Sequence, residues 1–537
     1  MKKKALALVL SVAMMATLFT ACGGSDSASS STATTDTSST ESTEAASTDT
    51  EVVGASDEEL AEHVTIKWYL EGSNVSDDTE VMAAVNEYLN EKLNMDLQPI
   101  WGTWGDFDEG ASLSLQSGDD VDIYFTCSWT TNEYSQYAKD GYYVRLDDPE
   151  NNLLEKYAPD LLGMIPDVLV NGANVEGASG FGVYAVPGYK DIANQYCWDV
   201  NVTLLEKYGY TLKDIEDRTF FEFGDILETV KQGEGANFFP LLPESSVLER
   251  CVNRVAAVDD NGLLSYYFNP ENPSEPLAKY GNVFVNKFAT EEFKAYADQM
   301  REYYQKGYID PECANSQTST ETRKAHQLEA SYLIGCQSYA YGYEAQASQE
   351  RGVHVEFVPC EEPYIDTISS RGAMMAISTA SKNPERAMMF LNLLNTDPYL
   401  MTLLEYGVEG IHYTLNDDGC VVFTDKRADY TPWRNGMGNI TILPPQEGEG
   451  VGYVERFKEY YGSSHMLPTT GFTFDTDPVE TEVAACKSIV EEYSTALYHG
   501  SAKEGMLEEM LERLDAAGMQ KIVDEANNQL KEFLANK

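Results

Sequence analysis

Hydrophobic and polar residues follow two periods in turn along the chain. Residues 64–70 alternate apolar with polar positions, which predicts a half-buried first strand. Apolar residues then recur at helical spacing over 81–93, and Thr79 is placed to cap that predicted helix. An apolar run at 121–126 predicts a second strand. The succession of strand and helix patterns predicts an α/β fold.

The same patterns continue to the C-terminus. The Asn-Pro-Glu sequence at 383–385 combines an N-cap, a proline in the first turn and an acid near the positive helix end. Two further helical stripes, at 506–514 and 522–533, are separated by Gly518 and predict a helical tail. The body from about residue 60 is longer than one hydrophobic core usually serves, so two lobes are expected.

The N-terminal segment predicts export and anchoring. Residues 1–21 have a basic start, a short apolar run and small residues before Cys22, as in a signal peptide ending at a lipidated cysteine. The run is shorter than the roughly 20 residues of a membrane-spanning helix. Residues 22–58 are rich in Ser, Thr, Asp and Glu, which predicts a disordered linker. We therefore expect a lipid-anchored protein on the extracellular face of the cytoplasmic membrane; an ordinary signal peptide with an incidental cysteine is the alternative.

A formal net charge of −51 limits the partners. Nucleic acid is not expected, because binding to phosphates needs basic surface. An anionic membrane would repel the body, so membrane contact is expected through the lipid alone. A strongly anionic ligand is disfavoured too, although a local arginine could overcome this.

Catalytic and metal-binding motifs are absent from the sequence. It has no G-x-x-x-x-G-K-[ST], H-E-x-x-H or G-x-S-x-G motif, and its six histidines are scattered. We predict no catalytic residue, metal site or cofactor. The cysteines after Cys22 form no C-x-x-C pair and are expected to be mostly buried free thiols, with room for one or two disulfides.

Aromatic residues beside polar or turn-forming residues suggest a sugar site. The chain has 34 tyrosines and six tryptophans, and sugar rings stack on aromatic faces while their hydroxyls need polar partners. Trp433 and Trp129 are predicted to stack on sugar rings, with Tyr343 and Trp104 in support. The predicted partners of the hydroxyl groups are Glu344, Arg434, Asn435 and Glu409. The alternative for each aromatic is packing in a core or between lobes.

Several stretches resemble the family-1 extracellular solute-binding lipoproteins of bacterial ABC importers. They are LQSGDDVDI at 115–123, with valine where the family has proline, GVYAVP at 182–187, ATEEF at 289–293, YQKGYIDP at 304–311 and ISTASKNPERA at 377–387. LEYGVEGIHY at 404–413 resembles a signature of the LipO-like subgroup. GFTFDTDPVETE at 471–482 and AAGM at 516–519 resemble that subgroup's C-terminal domain of formerly unknown function.

The resemblance implies a type II periplasmic-binding-protein fold, with two α/β lobes joined by crossing hinge strands around a ligand cleft. Crossover-like strands near 183–187 and 374–378 place lobe one at 60–186 plus 372–424 and lobe two at 187–371 plus 425–537. The implied function is capture of a carbohydrate, most often an oligosaccharide, and delivery to ABC permease subunits. A monomer without enzymatic activity is expected.

Three other functions stay open. The same fold binds peptides and other solutes in place of sugars. A secreted polysaccharide hydrolase or lyase would turn over its substrate, and a surface adhesin would lack ligand-driven closure.

Overall fold

The computed structural model describes residues 55–71, 74–103, 106–130, 133–258, 262–315 and 318–537. The predicted signal peptide, Cys22, most of the predicted linker and Trp104 lie outside these residues. In the described ranges, none of the helices has the length and apolar character needed to span a membrane.

Short strands and helices alternate through the described residues. The strands are β1 Val64–Leu70, β2 Asn74–Val75, β3 Met95–Trp101, β4 Ile123–Thr126, β5 Asn174–Gly177, β6 Gly180–Val183, β7 Ala185–Pro187, β8 Tyr196–Asn201, β9 Val255–Ala257, β10 Leu264–Asn269, β11 Asn272–Pro276, β12 Phe284–Asn286, β13 Ile334–Ser338, β14 Val355–Pro359, β15 Tyr364–Ile365, β16 Met374–Ile377, β17 Tyr413–Leu415, β18 Val421–Phe423, β19 Tyr430–Thr431 and β20 His465–Met466.

The α-helices of the same residues differ widely in length. They are α1 Thr79–Leu93, α2 Phe107–Ser117, α3 Tyr134–Lys139, α4 Leu153–Tyr157, α5 Leu161–Met164, α6 Asp167–Gly172, α7 Val202–Lys207, α8 Lys213–Glu216, α9 Gly224–Glu234, α10 Ser245–Asn253, α11 Glu291–Gln305, α12 Ser319–Leu328, α13 Tyr343–Arg351, α14 Thr367–Ser370, α15 Pro384–Thr396, α16 Pro398–Tyr406, α17 Tyr453–Gly462, α18 Glu480–His499, α19 Met506–Ala517 and α20 Met519–Asn536.

A five-stranded sheet organises the first part of the fold, in the order β3-β1-β4-β16-β7. β1 pairs in parallel with β3 and β4, whereas β16 runs antiparallel to β4 and β7. α15 contacts β16 and is surrounded by α1, α4, α5 and α16, which explains why nearly all of its residues are buried.

The second part is built on antiparallel strands. β13, β8 and β14 form one sheet, and β9, β11 and β12 pair with β10 in another. α18 packs against α10, α11, α19 and α20, so the helical tail covers this part of the fold. The predicted tail helices are confirmed, and Gly518 between them has a φ of 98° that favours glycine.

Two large hydrophobic clusters mark the two parts. The first cluster draws its buried residues from 66–193 and 365–461, and the second from 196–364 and 467–530. The chain therefore passes between them near 193–196, 364–365 and 461–467. These crossings lie side by side, because Asn194 bridges Tyr364 and β15 pairs with β20.

The packing differs from the predicted lobe bounds most in one long segment, and also in the few residues at 187–193 and near 365. Residues 430–461 contribute to the first cluster, whereas the prediction assigned everything after 424 to lobe two. The strands predicted as crossovers, β7 and β16, lie inside the five-stranded sheet, and the crossings occur a few residues nearer to the second cluster.

Other expectations from the sequence can be compared directly. β1 and α1 span the predicted residues, but Asp78 occupies the N-cap of α1 and Thr79 is its first helical residue. The eight cysteines of the described residues are free and buried, as expected for most of them.

Candidate functional site

A cavity of about 980 Å³, the larger of two that bear on function, has lining residues from both sides of the crossing strands. One wall comes from 431–435, from the segment around 446–449 and from α17. The other comes from the loop after β13 and from α13. Because these walls belong to separate elements of the two parts, the cavity is a cleft between them.

Trp433 stands at the contact between this cavity and the five-stranded sheet. It precedes a short 3-10 turn at 434–436, so the ring is presented from a loop, as the Gly- and Pro-broken sequence predicted. The ring centroid lies 5.6 Å from that of Phe125 and 5.9 Å from that of Trp129, both in edge-to-face geometry. A Cβ at Gly436 would come within 2.4 Å of the ring, so this position needs glycine.

Trp129 lies just after β4, near the carboxyl end of parallel strands where ligands of α/β sheets commonly bind. Its indole Nε1 donates to the carbonyl of Gly372 over 2.8 Å, and 41% of the residue surface is exposed. Trp129 does not line the larger cavity. It lines a smaller cavity of about 350 Å³, so the two tryptophans connect two cavities.

Arg434 lines the larger cavity and is paired there with an acidic side chain. Its Nη1 donates to Glu449 Oε1 over 2.5 Å, and the guanidinium lies over the rings of Tyr406 and Tyr453 at 6.0 and 5.8 Å. Arg427 pairs with Glu405 over 3.2 Å in the same wall. Burial raises the pKa of Glu405 to about 7, against the opposing effect of both arginines.

The remaining predicted residues are distributed unevenly. Tyr343 and Asn435 line the larger cavity. Glu344 lines a neighbouring cavity of about 440 Å³, where burial raises the pKa of its carboxyl group. Glu409 is exposed in the loop after α16 and lines neither the larger nor the smaller cavity. The structure thus brings together Trp433, Tyr343, Arg434 and Asn435, with Trp129 touching Trp433.

The prediction missed much of the aromatic wall. Tyr341, Tyr453, Phe457 and Tyr461 also line the larger cavity. The last three follow one another at helical spacing in α17, which on sequence alone is the pattern of a core-facing stripe. Tyr341 stands two residues before the predicted Tyr343, so its neighbourhood was recognisable from the sequence.

Amides and carboxylates complete the lining of the larger cavity. They include Gln346, Gln349, Gln446, Glu350 and Asp191. Aromatic faces beside such groups suit a ligand with apolar ring faces and a rim of hydroxyls, which describes a sugar. Within the described ranges, no group of three or more His, Cys, Asp or Glu side chains is placed to hold a metal ion.

Comparison with known proteins finds a family model for the C-terminal helices and a relative that matches most of the chain. A family model described as a domain of unknown function, DUF3502, matches residues 468–535, which confirms the predicted C-terminal domain. A carbohydrate ABC transporter substrate-binding protein of Streptococcus pneumoniae serotype 4 is 25% identical over 483 residues. The match covers 88% of this chain and 91% of that protein.

Solved structures agree with the fold. The crystal structure of an N-glycan transport solute binding protein (NgtS) from Streptococcus pneumoniae superposes with a TM-score of 0.73 at 25% identity, covering 88% of this chain and 100% of that one. The structure of NgtS in complex with Man1GlcNAc superposes with a TM-score of 0.71 at 24% identity, with the same coverage. The predicted resemblance to solute-binding proteins and the predicted fold class are confirmed.

Proposed function

We propose that this chain, a member of the solute-binding proteins of ABC importers, captures an oligosaccharide between its two lobes and delivers it to a membrane permease. The observation that carries the proposal is the larger cavity, which combines an aromatic wall with an amide and carboxylate rim. The carbohydrate ABC transporter relative and the Man1GlcNAc complex of NgtS support a saccharide ligand over a peptide.

In the proposed site, Trp433 and Tyr343 stack on sugar rings from opposite walls of the cavity, and Asn435 serves the hydroxyl rim. Trp129 contacts Trp433 and extends the aromatic surface toward the smaller cavity. Arg434 acts mainly through Glu449, whose carboxylate it positions in the same wall.

Lobe closure is the proposed mechanism. We place lobe one at 55–193 plus 365–461 and lobe two at 194–364 plus 462–537, following the hydrophobic clusters. The hinge is then three adjacent segments, held by hydrogen bonds between Asn194 and Tyr364 at 2.7 and 2.9 Å and from Leu467 N to Ile365 O at 3.0 Å. A ligand stabilises the closed form only through contacts that it makes with both lobes at once.

The relatives are transport proteins. We propose that this chain likewise serves transport and catalyses no reaction. ATP hydrolysis is then left to other subunits of the importer, and the closed lobes dock on the permease as a monomer. A secreted hydrolase or lyase is the competing function. Appearance of shortened products on incubation with the bound oligosaccharide would establish it.

We propose that a lipid on Cys22 anchors the protein to the extracellular face of the membrane. The basic, apolar and small-residue segments before Cys22 support it. Cells expressing the wild type are expected to incorporate a labelled fatty acid into the protein, and cells expressing Cys22→Ser are not. Equal incorporation in both would remove the anchor from the proposal.

The test of function is a thermal-shift screen of the mature chain against neutral and acidic oligosaccharides, peptides and other solutes. A ligand that binds only the folded state raises the melting temperature. Oligosaccharides containing mannose or N-acetylglucosamine are the first choice, because NgtS has been crystallised with Man1GlcNAc. A shift with saccharides, followed by calorimetry, supports the proposal. A shift with peptides alone overturns the choice of ligand.

A further inference from the structure

The smaller cavity lies on the far side of the tryptophan pair from the larger one. Trp129 and Ile368 form one wall. The rest comes from α10, from α18, from Ala257 and Gly262, and from Lys287 just after β12. Its hydroxyl groups come from Ser245, Ser246, Ser494, Thr495 and Tyr498. Because Trp129 and Trp433 are in edge-to-face contact at 5.9 Å, a ligand on Trp433 can continue toward this second space.

The charge of this cavity's lining is opposite in sign to the net charge of the whole chain. In a protein of net charge −51, the described lining contains two cations, Arg250 and Lys287, and no carboxylate. Glu249 lies 3.6 Å from Lys287 Nζ, is fully buried and stands outside the lining. Lys287 is therefore compensated, at least in part, from behind the cavity wall.

Arg250 is the less compensated of the two cations. Its Nη1 donates to the hydroxyl of Tyr196 over 2.5 Å, and no carboxylate of the described residues lies within 4.0 Å of its guanidinium nitrogens. Glu249 and Asp366 interact with it at longer range. Glu249 is shared with Lys287, and Asp366 already accepts from Ser369 N at 2.7 Å and Asn194 Nδ2 at 2.9 Å. The guanidinium retains capacity to bind an anion.

The backbone adds to the same potential. α10 begins at Ser245, and both Ser245 and Ser246 line the cavity, so the positive end of this nine-residue helix borders it. The N-cap residue Glu244 lies outside the lining and pairs with Arg323 over 3.1 Å. The helix end alone would not define a site. Together with Arg250, Lys287 and an aromatic wall, it forms a compartment that favours a negative group attached to a ring.

We propose that the smaller cavity is a subsite for an acidic sugar, whose ring packs on Trp129 while its carboxylate faces Arg250 and the start of α10. The inference rests on the proposed carbohydrate-binding function and names a ligand class within it. The repulsion expected from the acidic surface is screened over about 8 Å in physiological salt, whereas a cation in the cavity lining acts at contact.

The test compares matched neutral and acidic saccharides by calorimetry. Suitable pairs are galactobiose with digalacturonic acid, and N-acetyllactosamine with its sialylated form. A charge-assisted hydrogen bond supports a gain of about tenfold to hundredfold for the acidic member of a pair. Arg250→Gln is expected to abolish the gain, and Arg250→Lys to retain part of it.

A second variant changes a partly exposed residue and leaves Arg250 in place. Ser246→Asp places a negative charge in the first turn of α10, where acids stabilise helices, and should repel the acidic sugar. Ser246→Asn is its neutral control and should leave the preference unchanged. If the acidic preference survives both Ser246→Asp and Arg250→Gln, the subsite is overturned.

The remaining outcomes separate this inference from the proposed function. Binding of neutral saccharides with no gain for any acidic partner overturns the subsite and leaves the function in place. Failure to bind any saccharide overturns both. Inorganic phosphate alone, raising the melting temperature as much as the acidic sugar, would assign the cavity to a free anion and overturn the subsite.

Discussion

The larger and smaller cavities share the Trp129–Trp433 contact, yet their basic side chains lie in different surroundings. In the larger cavity Arg434 meets Glu449 and Arg427 meets Glu405, so each cation has a carboxylate in the same wall. In the smaller cavity Arg250 meets only a tyrosine hydroxyl at hydrogen-bonding distance among the described residues.

The difference shows why residue type alone does not assign a binding role. Arg434 was predicted from its neighbour Trp433, and it does line a cavity, but its charge is paired there with the carboxylate of Glu449. Arg250 carries no local sequence signal, yet it lines the smaller cavity without a carboxylate of the described residues within 4.0 Å. An arginine paired with an acid organises a wall, whereas one without that partner is available to a ligand.

Removing Arg434 should produce the largest effect. Arg434→Met leaves the carboxylate of Glu449, which is 12% exposed, without its cation, and breaking this partly buried pair should cost about 2–4 kcal/mol of unfolding free energy, below the roughly 3–5 kcal/mol of a fully buried pair. Urea unfolding measures this. The control is Arg218→Met, because Arg218 pairs with the exposed Asp225 and its loss should cost less than about 1 kcal/mol. Similar costs for the two variants would contradict the distinction.

Removing Trp433 should mainly weaken binding. Trp433→Ala is expected to lose about 1–3 kcal/mol of binding free energy, the scale for burying a large apolar side chain, or roughly tenfold to hundredfold in Kd. Calorimetry with the neutral oligosaccharide selected by the screen is the measurement. Trp101→Ala is the control, since Trp101 packs on Tyr430 and bonds Asp78 outside both cavities. An unchanged Kd in folded Trp433→Ala would make this tryptophan structural.

The elements that the sequence predicts well are those with a long local period. The structure has five of the predicted elements where their patterns place them: β1, α1, α15, α19 and α20. A long strand, or a helix of several turns, repeats the same spacing of buried positions, so the sequence shows it clearly. The third crossing had no such signal. β15 and β20 are two residues long, and their pairing joins parts of the chain a hundred residues apart.

The site was predictable only where the sequence breaks a regular pattern. Trp433 stands out because Pro432 and Gly436 exclude a helix interior, and the ring is presented from that loop. The aromatics of α17 do not stand out, because a wall of a cleft and a face of a core have the same helical spacing. Only the packing of separate elements tells the two apart.

A buried carboxyl near each cavity offers a comparison by pH. Burial raises the pKa of Glu361 from 4.5 to about 8, and Glu361 accepts from the backbone N–H of Tyr196, whose hydroxyl holds Arg250. Its counterpart is Glu405, whose pKa is raised to about 7 against the two arginines of the larger cavity. The protonated Glu361 fits its site, so its stabilisation is complete below about pH 4.5 and is lost as the pH rises through about 8.

Glu361→Gln should remove that dependence. The unfolding free energy of the wild type should fall between about pH 5 and pH 8. That of the variant should fall less steeply, and the two slopes should differ by at most about 1.4 kcal/mol per pH unit. Denaturant unfolding at several pH values measures the slopes. Glu405→Gln tests the other cavity, with its change confined to lower pH. Parallel curves for wild type and Glu361→Gln would show that this carboxyl is ionised in the folded protein.

The smallest effect is expected at Glu409, and a matched pair of glutamates tests it. Glu350 lines the larger cavity, where its carboxylate accepts from Gln346 Nε2 over 2.7 Å, whereas Glu409 is exposed and lines neither cavity. Glu350→Gln should weaken oligosaccharide binding a few-fold, because a hydrogen bond from a sugar hydroxyl to a charged acceptor is stronger than to an amide. Glu409→Gln should leave Kd within about twofold, as expected for a surface change of less than 0.5 kcal/mol. Calorimetry distinguishes them, and a larger loss at Glu409 than at Glu350 would mean that the loop after α16 reaches the ligand when the lobes close.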